Sequence, residues 1–107
     1  MGDVELPQPE YKYGGEEGIM KFLKDNIRFS EKCPDGKLFV NFVVDSIGRV
    51  RSPEIMKSSL DADANKEVLR VINLLEFVPA QFLNKSISTY YTLPIIFKRK
   101  DWQKKKD

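Results

Sequence analysis

Residues 86–98 constrain the fold most, because their side chains alternate between two faces with the period of a β-strand. β-branched and aromatic residues dominate the stretch, as is typical of a half-buried strand. Pro94 has no N–H to donate to a neighbouring strand and therefore favours a position at the edge of a sheet. The stretch is predicted to form one long edge strand. One face carries Ile87, Thr89, Tyr91, Leu93, Ile95 and Phe97, and the other carries Ser88, Tyr90, Thr92, Pro94 and Ile96.

A long edge strand leaves a row of unpaired N–H and C=O groups, which is a hazard unless a partner pairs with it. The pattern therefore gives a first functional hypothesis, in which an extended peptide from a partner adds to this edge. In that mode of recognition, main-chain hydrogen bonds supply affinity and alternate side chains supply specificity.

The composition excludes several classes of protein. A chain of 107 residues forms one domain and buries a core without disulfide bonds. No apolar run is long enough to span a bilayer, and the acidic start of the chain does not resemble a signal peptide. The single cysteine, Cys33, permits no internal disulfide. The absence of histidine excludes Ser-His and Cys-His catalytic pairs and histidine metal sites.

The net charge of +2 is unevenly distributed along the chain. Six basic and two acidic residues follow from Lys98 onward, so the remainder is weakly acidic, which does not indicate nucleic-acid binding. The basic tail, residues 99–107, is predicted to be solvated and frayed. Trp102 within this tail is either an anchor that folds back or an exposed recognition residue.

Two helices are predicted from their apolar stripes. The first runs from Glu16 to Asn26 and begins with two carboxylates, which the helix dipole favours at that end. The second follows Ser59 or Asp61 as its N-cap. Its apolar stripe consists of Ala64, Val68, Val71, Ile72 and Leu75.

Two further strands precede the second helix. Residues 37–45 alternate in the same way as the final stretch, and Gly48 is suited to positive φ in the reversal that follows. Residues 49–57 return beside them, and Pro53 indicates that this strand is an edge or is bulged. Residues 76–85 are predicted to be a connection.

The order helix, strand, strand, helix, strand predicts an α+β fold in which two helices pack on a three-stranded antiparallel sheet. If the last strand pairs with the first, it runs parallel to the second, and a right-handed crossover connects those two. The strand order is then 2-1-3, and both outer strands contain a proline. The predicted organisation is an extended lead-in, residues 1–13, a folded domain, residues 14–98, and the basic tail.

No catalytic or metal-binding motif is present in the sequence. The carboxylate pairs Glu16/Glu17 and Asp61/Asp63 lie at predicted helix starts, where the helix dipole explains them. We therefore predict a protein that is not an enzyme and that uses no cofactor or metal.

The sequence resembles the TonB C-terminal domain family over residues 9–98. The resemblance is carried by Pro9-Glu10-Tyr11 with Gly14-Gly15, by Phe22-Leu23 and Asn26-Ile27-Arg28-Phe29, by residues 36–45 with Gly48-Arg49-Val50, by Phe77-Val78-Pro79-Ala80, and by Tyr91-Thr92-Leu93-Pro94-Ile95-Ile96-Phe97. Three features depart from the family pattern: the loop between Phe29 and Gly36 is shorter, Ser30 replaces a common proline, and Asn84 replaces a common glycine.

The resemblance implies a periplasmic domain that an upstream helix, outside this chain, tethers to the inner membrane. Such domains bind a short motif of TonB-dependent transporters in the outer membrane and pass on mechanical energy from a proton-driven motor complex in the inner membrane. The peptide adds as a strand to the last edge, which is the edge that Pro94 indicates independently. The resemblance also implies contacts with the peptide near Asn26 and Arg28.

We therefore expect the main chain of residues 88–93 to pair with the peptide. The predicted peptide-binding residues are Ser88, Thr89, Tyr90, Tyr91, Thr92, Leu93, Asn26 and Arg28. Pro94 is expected to limit the length of the paired segment, because one donor is missing there.

Three alternatives stay open on the sequence alone. In the first alternative, the domain belongs to a membrane sensor protein, such as a sensor-type metalloprotease, rather than to an energy transducer, and only the upstream sequence discriminates between the two. An enzyme on a small α+β scaffold requires a polar pocket with carboxylates of raised pKa. Pairing of the exposed edges of two copies gives a homodimer.

Overall fold

The computed structural model describes residues 6–102. Its elements, in chain order, are β1 (Glu10–Tyr11), α1 (Gly15–Asn26), β2 (Gly36–Val44), β3 (Val50–Ser58), α2 (Ala62–Ile72), β4 (Phe77–Val78), β5 (Ala80–Phe82), β6 (Lys85–Ile87), β7 (Thr89–Phe97) and α3 (Arg99–Trp102). No helix among these residues is both long and apolar enough to cross a membrane.

The main sheet has three antiparallel strands in the order β3-β2-β7. The pairing of β2 with β7 is regular from Gly36 opposite Phe97 to Val44 opposite Thr89. The two long helices cover one face of the sheet and enclose a single apolar core. The predicted α+β class with an antiparallel sheet is confirmed. The sheet contributes Leu38, Val40, Phe42, Val44, Leu93, Ile95 and Phe97 to that core.

The helices begin and pack as their sequences dictate. Gly14 precedes α1 in a left-handed conformation with φ of 107°, and Ile19 and Leu23 of the helix are buried. Asp61 caps α2, because its side chain accepts a hydrogen bond from the N–H of Ala64 at 2.8 Å. The predicted cap at Asp61 is therefore confirmed. The buried stripe of α2 consists of Ala64, Val68, Val71 and Ile72.

β3 is an irregular strand, as Pro53 predicts. Its register with β2 shifts twice, once between Asn41 and Val43, and the residue before the proline, Ser52, has a φ of 51°. The predicted positive φ at Gly48 is also confirmed, with a value of 87°. These irregularities are confined to the β3 side of the sheet, and the β7 side keeps a register without shifts.

The prediction of a single strand over residues 86–98 is wrong. β6 pairs with β5 to form a separate small hairpin, and β7 begins only at Thr89. Leu83 and Asn84 have φ values of 51° and 66°, the positive pair that a tight two-residue hairpin turn requires. The alternation continues through Ser88 with the same period, so the pattern hides the break. The prediction that residues 76–85 form only a connection is also wrong, because they contain β4 and β5, and β6 begins at Lys85.

Both ends of the described chain are more structured than the sequence indicates. Within the predicted lead-in, β1 pairs with β4, and Tyr11 is only 5% exposed against the core. The prediction of a solvated tail is wrong for α3, whose Trp102 packs edge-on against Phe29 with ring centroids 5.2 Å apart. Asp35 accepts a hydrogen bond from the N–H of Arg99 at 2.9 Å, and this contact holds the start of the single helical turn α3. The rest of the lead-in and tail, residues 1–5 and 103–107, lies outside the described residues.

Candidate functional site

β7 has one open side. Within residues 6–102 its only strand partner is β2, so the opposite flank of its main chain pairs with no other strand. The strand also presents large side chains on the sheet face away from the helices, where Tyr90 is 79% exposed and Ile96 is 56% exposed. β7 therefore combines an unpaired backbone edge with an uncovered face.

Pro94 shows which backbone groups point into the open side. In an antiparallel pair, successive residues alternate between hydrogen-bonded and non-hydrogen-bonded positions. Pro94 lies opposite Phe39 in a ladder without register shifts, and it has no N–H, so it occupies a non-hydrogen-bonded position. Tyr90 and Thr92 share its parity, and their N–H and C=O groups consequently face the open side.

An independent contact supports this assignment. The indole Nε1 of Trp102 donates a hydrogen bond to the carbonyl oxygen of Ile96 at 3.1 Å. Ile96 has the same parity as Pro94, so its carbonyl is approached from the open side rather than from β2. Among residues 6–102, the carbonyl of Ile96 is thus bonded to an indole, the edge lacks a donor at Pro94, and no strand pairs with it at Tyr90 and Thr92.

The alternate residues of β7 hold the strand in the domain. Tyr91 is partly buried and stacks on Phe42, with ring centroids 5.3 Å apart and planes 20° apart. Burial, and secondarily the negative charge of Glu16, raises the pKa of the Tyr91 hydroxyl above its usual value. Leu93 is 7% exposed. Thr89 is partly buried, and its hydroxyl oxygen has no hydrogen-bond partner among the described residues.

The remaining predicted site residues on this strand differ in their surroundings. The hydroxyl of Thr92 donates to Oδ1 of Asn41 at 3.2 Å on the uncovered face of the sheet. Ser88 is exposed and lies between β6 and β7, outside the ladder with β2. β7 therefore begins one residue later than the predicted peptide-binding range.

Asn26 and Arg28 lie at the end of α1 and are tied to α2. Nδ2 of Asn26 donates to the carbonyl of Phe22 at 2.8 Å, which holds the last turn of the helix. Oε2 of Glu67 accepts a hydrogen bond from the N–H of Arg28 at 2.8 Å, and Arg70 donates to the carbonyl of Asn26 at 3.2 Å. The backbone of this corner is fixed, while the side chain of Arg28 is exposed.

Acid is expected to loosen this corner through Glu67. The side-chain hydrogen bond from Arg70, together with the N–H of Arg28, holds the pKa of the Glu67 carboxyl below its ordinary value of 4.5. A lowered folded-state pKa gives stability that is present above the unfolded pKa and is lost as pH falls through the folded value. The melting temperature of the wild type is therefore expected to fall below about pH 4.5.

The matched variant for this prediction is Glu67→Gln, measured by thermal unfolding from pH 7 to pH 3. The variant is expected to melt lower than the wild type at pH 7 and to approach it at pH 3, because the amide does not titrate. Asp45, whose pKa is lowered by Arg51, leaves a residual acid dependence in both proteins. Parallel curves for the two proteins would contradict the role of Glu67.

Two clefts flank the open side of β7, one at each end. The first has a volume of about 580 Å³ and is lined by Leu6, Pro7, Gln8, Glu16, Thr89, Tyr90, Tyr91 and Thr92. The second has a volume of about 250 Å³ and is lined by Ile27, Arg28, Phe29, Glu31, Phe97, Arg99 and Trp102. The structure thus brings Arg28 to the far end of the same edge on which Tyr90 and Thr92 lie.

The structure also places near the edge three features that the sequence did not assign to the site. Glu16 lies beside the start of β7, although its position in the first turn of α1 is explained by the helix dipole alone. Residues 6–8 line the same cleft without any motif to indicate it. Trp102 was the one detectable signal, as a lone tryptophan in a charged tail, and it proves to be an anchor.

The described residues offer little to a catalyst. No group of three or more His, Cys, Asp or Glu side chains between residues 6 and 102 is arranged to hold a metal ion. Cys33 is buried, and its burial raises the pKa of the thiol, which disfavours the thiolate that a nucleophile needs. The two carboxyls whose pKa values shift, Asp45 and Glu67, both shift downward, as in structural ion pairs.

The sequence profile of the Gram-negative bacterial TonB protein C-terminal family matches residues 31–99, which include β2, β3, α2 and β7. The chain belongs to this family. No curated protein sequence matches the chain significantly. TonB C-terminal domains are energy-transduction domains rather than enzymes, and in Gram-negative bacteria the family is periplasmic.

Solved TonB C-terminal domains share the fold. The solution structure of the Pseudomonas aeruginosa TonB C-terminal domain is similar with a TM-score of 0.51 and 18% identity, covering 89% of this chain and 82% of that one. A solution structure of the Helicobacter pylori TonB C-terminal domain is similar with a TM-score of 0.55 and 15% identity, covering 81% of this chain and 92% of that one. At such identities the likeness shows the fold of the TonB C-terminal domain and nothing of its ligand.

Proposed function

We propose that this TonB C-terminal domain binds an extended motif of an outer-membrane TonB-dependent transporter by strand addition to the open side of β7. The domain then acts in the periplasm as part of an energy transducer, held to the inner membrane and its motor complex by a segment outside this chain. The observation that carries the proposal is that, within residues 6–102, no strand pairs with the open side of β7 at Tyr90 and Thr92, which lie between two clefts.

Each predicted residue takes a distinct role in this proposal. Tyr90 and Thr92 offer their N–H and C=O groups to the peptide, while Thr89, Tyr91 and Leu93 pair with β2 and fix the strand. The corner formed by Asn26 and Arg28 borders the far end of the docked strand. Ser88 lies at the entry to the edge rather than in it.

The small number of vacant groups implies modest affinity. Before Pro94, the N–H groups of Tyr90 and Thr92 are available on the open side together with the carbonyls of Tyr90, Thr92 and Pro94, and beyond the proline only the N–H of Ile96 is added. Each hydrogen bond contributes about 0.5–1.5 kcal/mol net. Ordering the peptide and restricting its motion oppose this gain, so a dissociation constant in the micromolar range or weaker is expected. Such a contact suits a partner that is engaged and released repeatedly.

The direct test is titration of the labelled domain with a transporter motif peptide, observed through backbone amide shifts. The largest shifts are expected at Tyr90 and Thr92, whose N–H groups gain partners. β3, the other edge of the same sheet, serves as the internal control. Shifts concentrated along β3, or absent from β7 at saturation, would overturn the proposal. A repeat at several protein concentrations separates peptide binding from edge-to-edge dimerisation, which produces shifts at β7 without peptide.

A further inference from the structure

The two ends of the docking edge carry opposite charge. At the start of β7, Glu16 is the only charged side chain among residues 6–102 that lines the cleft with Thr89, Tyr90, Tyr91 and Thr92. At the end of β7, the cleft around Phe97 contains Arg28, Arg99 and Glu31, an excess of one positive charge. An extended peptide that lies along β7 therefore has one end beside the negative cleft and the other end beside the positive cleft.

The direction of α1 produces this polarity. The first turn of α1 lies beside Tyr91, and Phe29, just beyond its last turn, packs on Phe97 with ring centroids 4.0 Å apart. α1 therefore runs alongside β7 in the same direction. An exposed depression of about 540 Å³ on α1 extends from Glu16 through Met20 to Lys24.

The neighbouring charges leave Glu16 and Arg28 available to a peptide. Glu16 is exposed and forms no ion pair with any residue between 6 and 102. Arg28 faces Glu31 in its cleft and also Glu67, but both carboxylate oxygens of Glu67 accept hydrogen bonds from Arg70.

Arg99 is less available than Arg28. Its guanidinium donates to the carbonyls of Ser30 and Cys33 and lies over the ring of Phe97. Arg28 is therefore the cation that a docked acid meets first.

We propose that Glu16 and Arg28 set the direction of the docked peptide, which places a basic side chain beside Glu16 and an acidic side chain beside Arg28. This inference rests on the proposed strand addition to β7. Tyr91 and Phe97 are six positions apart, which is about 20 Å in an extended strand. The two charged residues of a matching peptide are therefore about six positions apart. An acid-first motif lies antiparallel to β7, and a base-first motif lies parallel to it.

The probe that tests this proposal is a synthetic seven-residue peptide with an alternating Thr-Val core, Asp at its first position, Lys at its last and neutral capped ends. A nitroxide on its N-terminal cap reports direction through the broadening of backbone amide signals. With the wild type, the residues around Phe97 and Arg28 are expected to broaden most. With the double variant Glu16→Lys/Arg28→Glu, the broadening is expected to move to Thr89–Thr92, because the charges are reversed.

Matched variants separate the local effect from net charge. Glu17→Lys makes the same change one residue further along α1 without touching the cleft beside β7, and Lys32→Glu changes the charge near the other end outside both clefts. Each single variant, Glu16→Lys or Arg28→Glu, is expected to weaken binding of the Asp-first peptide about three- to tenfold at low salt. The two controls are expected to change it less than twofold.

The outcomes distinguish the two proposals. If the peptide broadens β7 with the same direction in the wild type and the double variant, the charge-directed orientation is overturned while strand addition stands. If neither this peptide nor a neutral peptide with Ser at both ends perturbs β7, strand addition and its orientation are overturned together. Reversal of the direction in the double variant, with unchanged direction in the controls, establishes the inference.

Discussion

Replacing Thr92 with proline is expected to weaken binding of a motif peptide strongly while the domain stays folded. Thr92 shares the parity of Pro94, so its N–H points to the open side and the substitution removes no hydrogen bond from the β2–β7 ladder. The peptide, however, loses one of the two N–H donors that β7 offers before Pro94, and one carbonyl of the peptide is left unpaired beside the proline ring. An unpaired polar group costs about 1–3 kcal/mol, which raises the dissociation constant about five- to 150-fold.

The control for this variant is Thr92→Val. It removes the hydroxyl that donates to Asn41 but keeps the backbone N–H. Binding is measured by calorimetry or fluorescence anisotropy, and folding by circular dichroism. The valine variant is expected to bind within about twofold of the wild type, because its edge is intact. A folded proline variant that binds as tightly as the valine variant would place the docking site elsewhere on the domain.

Replacing Gly48 with alanine is expected to give the largest loss of stability among single-methyl changes in this domain. Gly48 has a φ of 87°, and a Cβ at this position would overlap the carbonyl oxygen of Phe77. The glycine carbonyl accepts a hydrogen bond from the N–H of Phe77 at 2.9 Å, so neither backbone segment moves freely. Conformational strain and backbone overlap together are expected to cost about 3 kcal/mol or more.

Gly15→Ala is the matched control, because the two glycines share a positive φ and differ in crowding. Gly15 has a φ of 63°, and a Cβ there would meet nothing within 4 Å. Its alanine variant is expected to lose only about 1 kcal/mol, the cost of the left-handed conformation. Urea unfolding of both variants, followed by the fluorescence of Trp102, measures the difference. Equal losses would contradict the close approach of Gly48 to Phe77.

Much of the fold was accessible from the sequence because period and turn chemistry are local. The alternation in residues 37–45 is found, and that predicted for 86–98 is found over 89–97. Of the two predicted N-caps, Asp61 is the one found, and the strand that Pro53 marks as an edge or bulged has an irregular register. The hairpin of β5 and β6 was missed because only Asn84 of its two turn residues is a type that favours positive φ, while Leu83 adopts a positive φ that leucine rarely tolerates. The pairing of β1 with β4 depends on residues distant in sequence, which periodicity does not report.

The candidate site was predictable only along the strand. Pro94 indicates from the sequence alone that the strand lies at an edge and which of its residues direct their backbone groups to the open side. The position of Glu16 beside Tyr91 follows from the packing of α1 along β7, and the hydrogen bond from Trp102 to Ile96 follows from a single turn after the last strand. No local pattern encodes either contact, because each depends on how whole elements are oriented in three dimensions.

The hydrogen bond from Trp102 to Ile96 also affects whether copies of the free domain associate with one another. An unprotected strand margin is a template on which further chains stack, and such stacking grows into insoluble aggregates when many consecutive amides are free. With Trp102 on the carbonyl of Ile96 and a ring at Pro94, the uninterrupted run of uncovered amide N–H groups over the described part of β7 is limited to Tyr90 and Thr92. So short a run of free amide groups disfavours the stacking of further copies of this domain on β7.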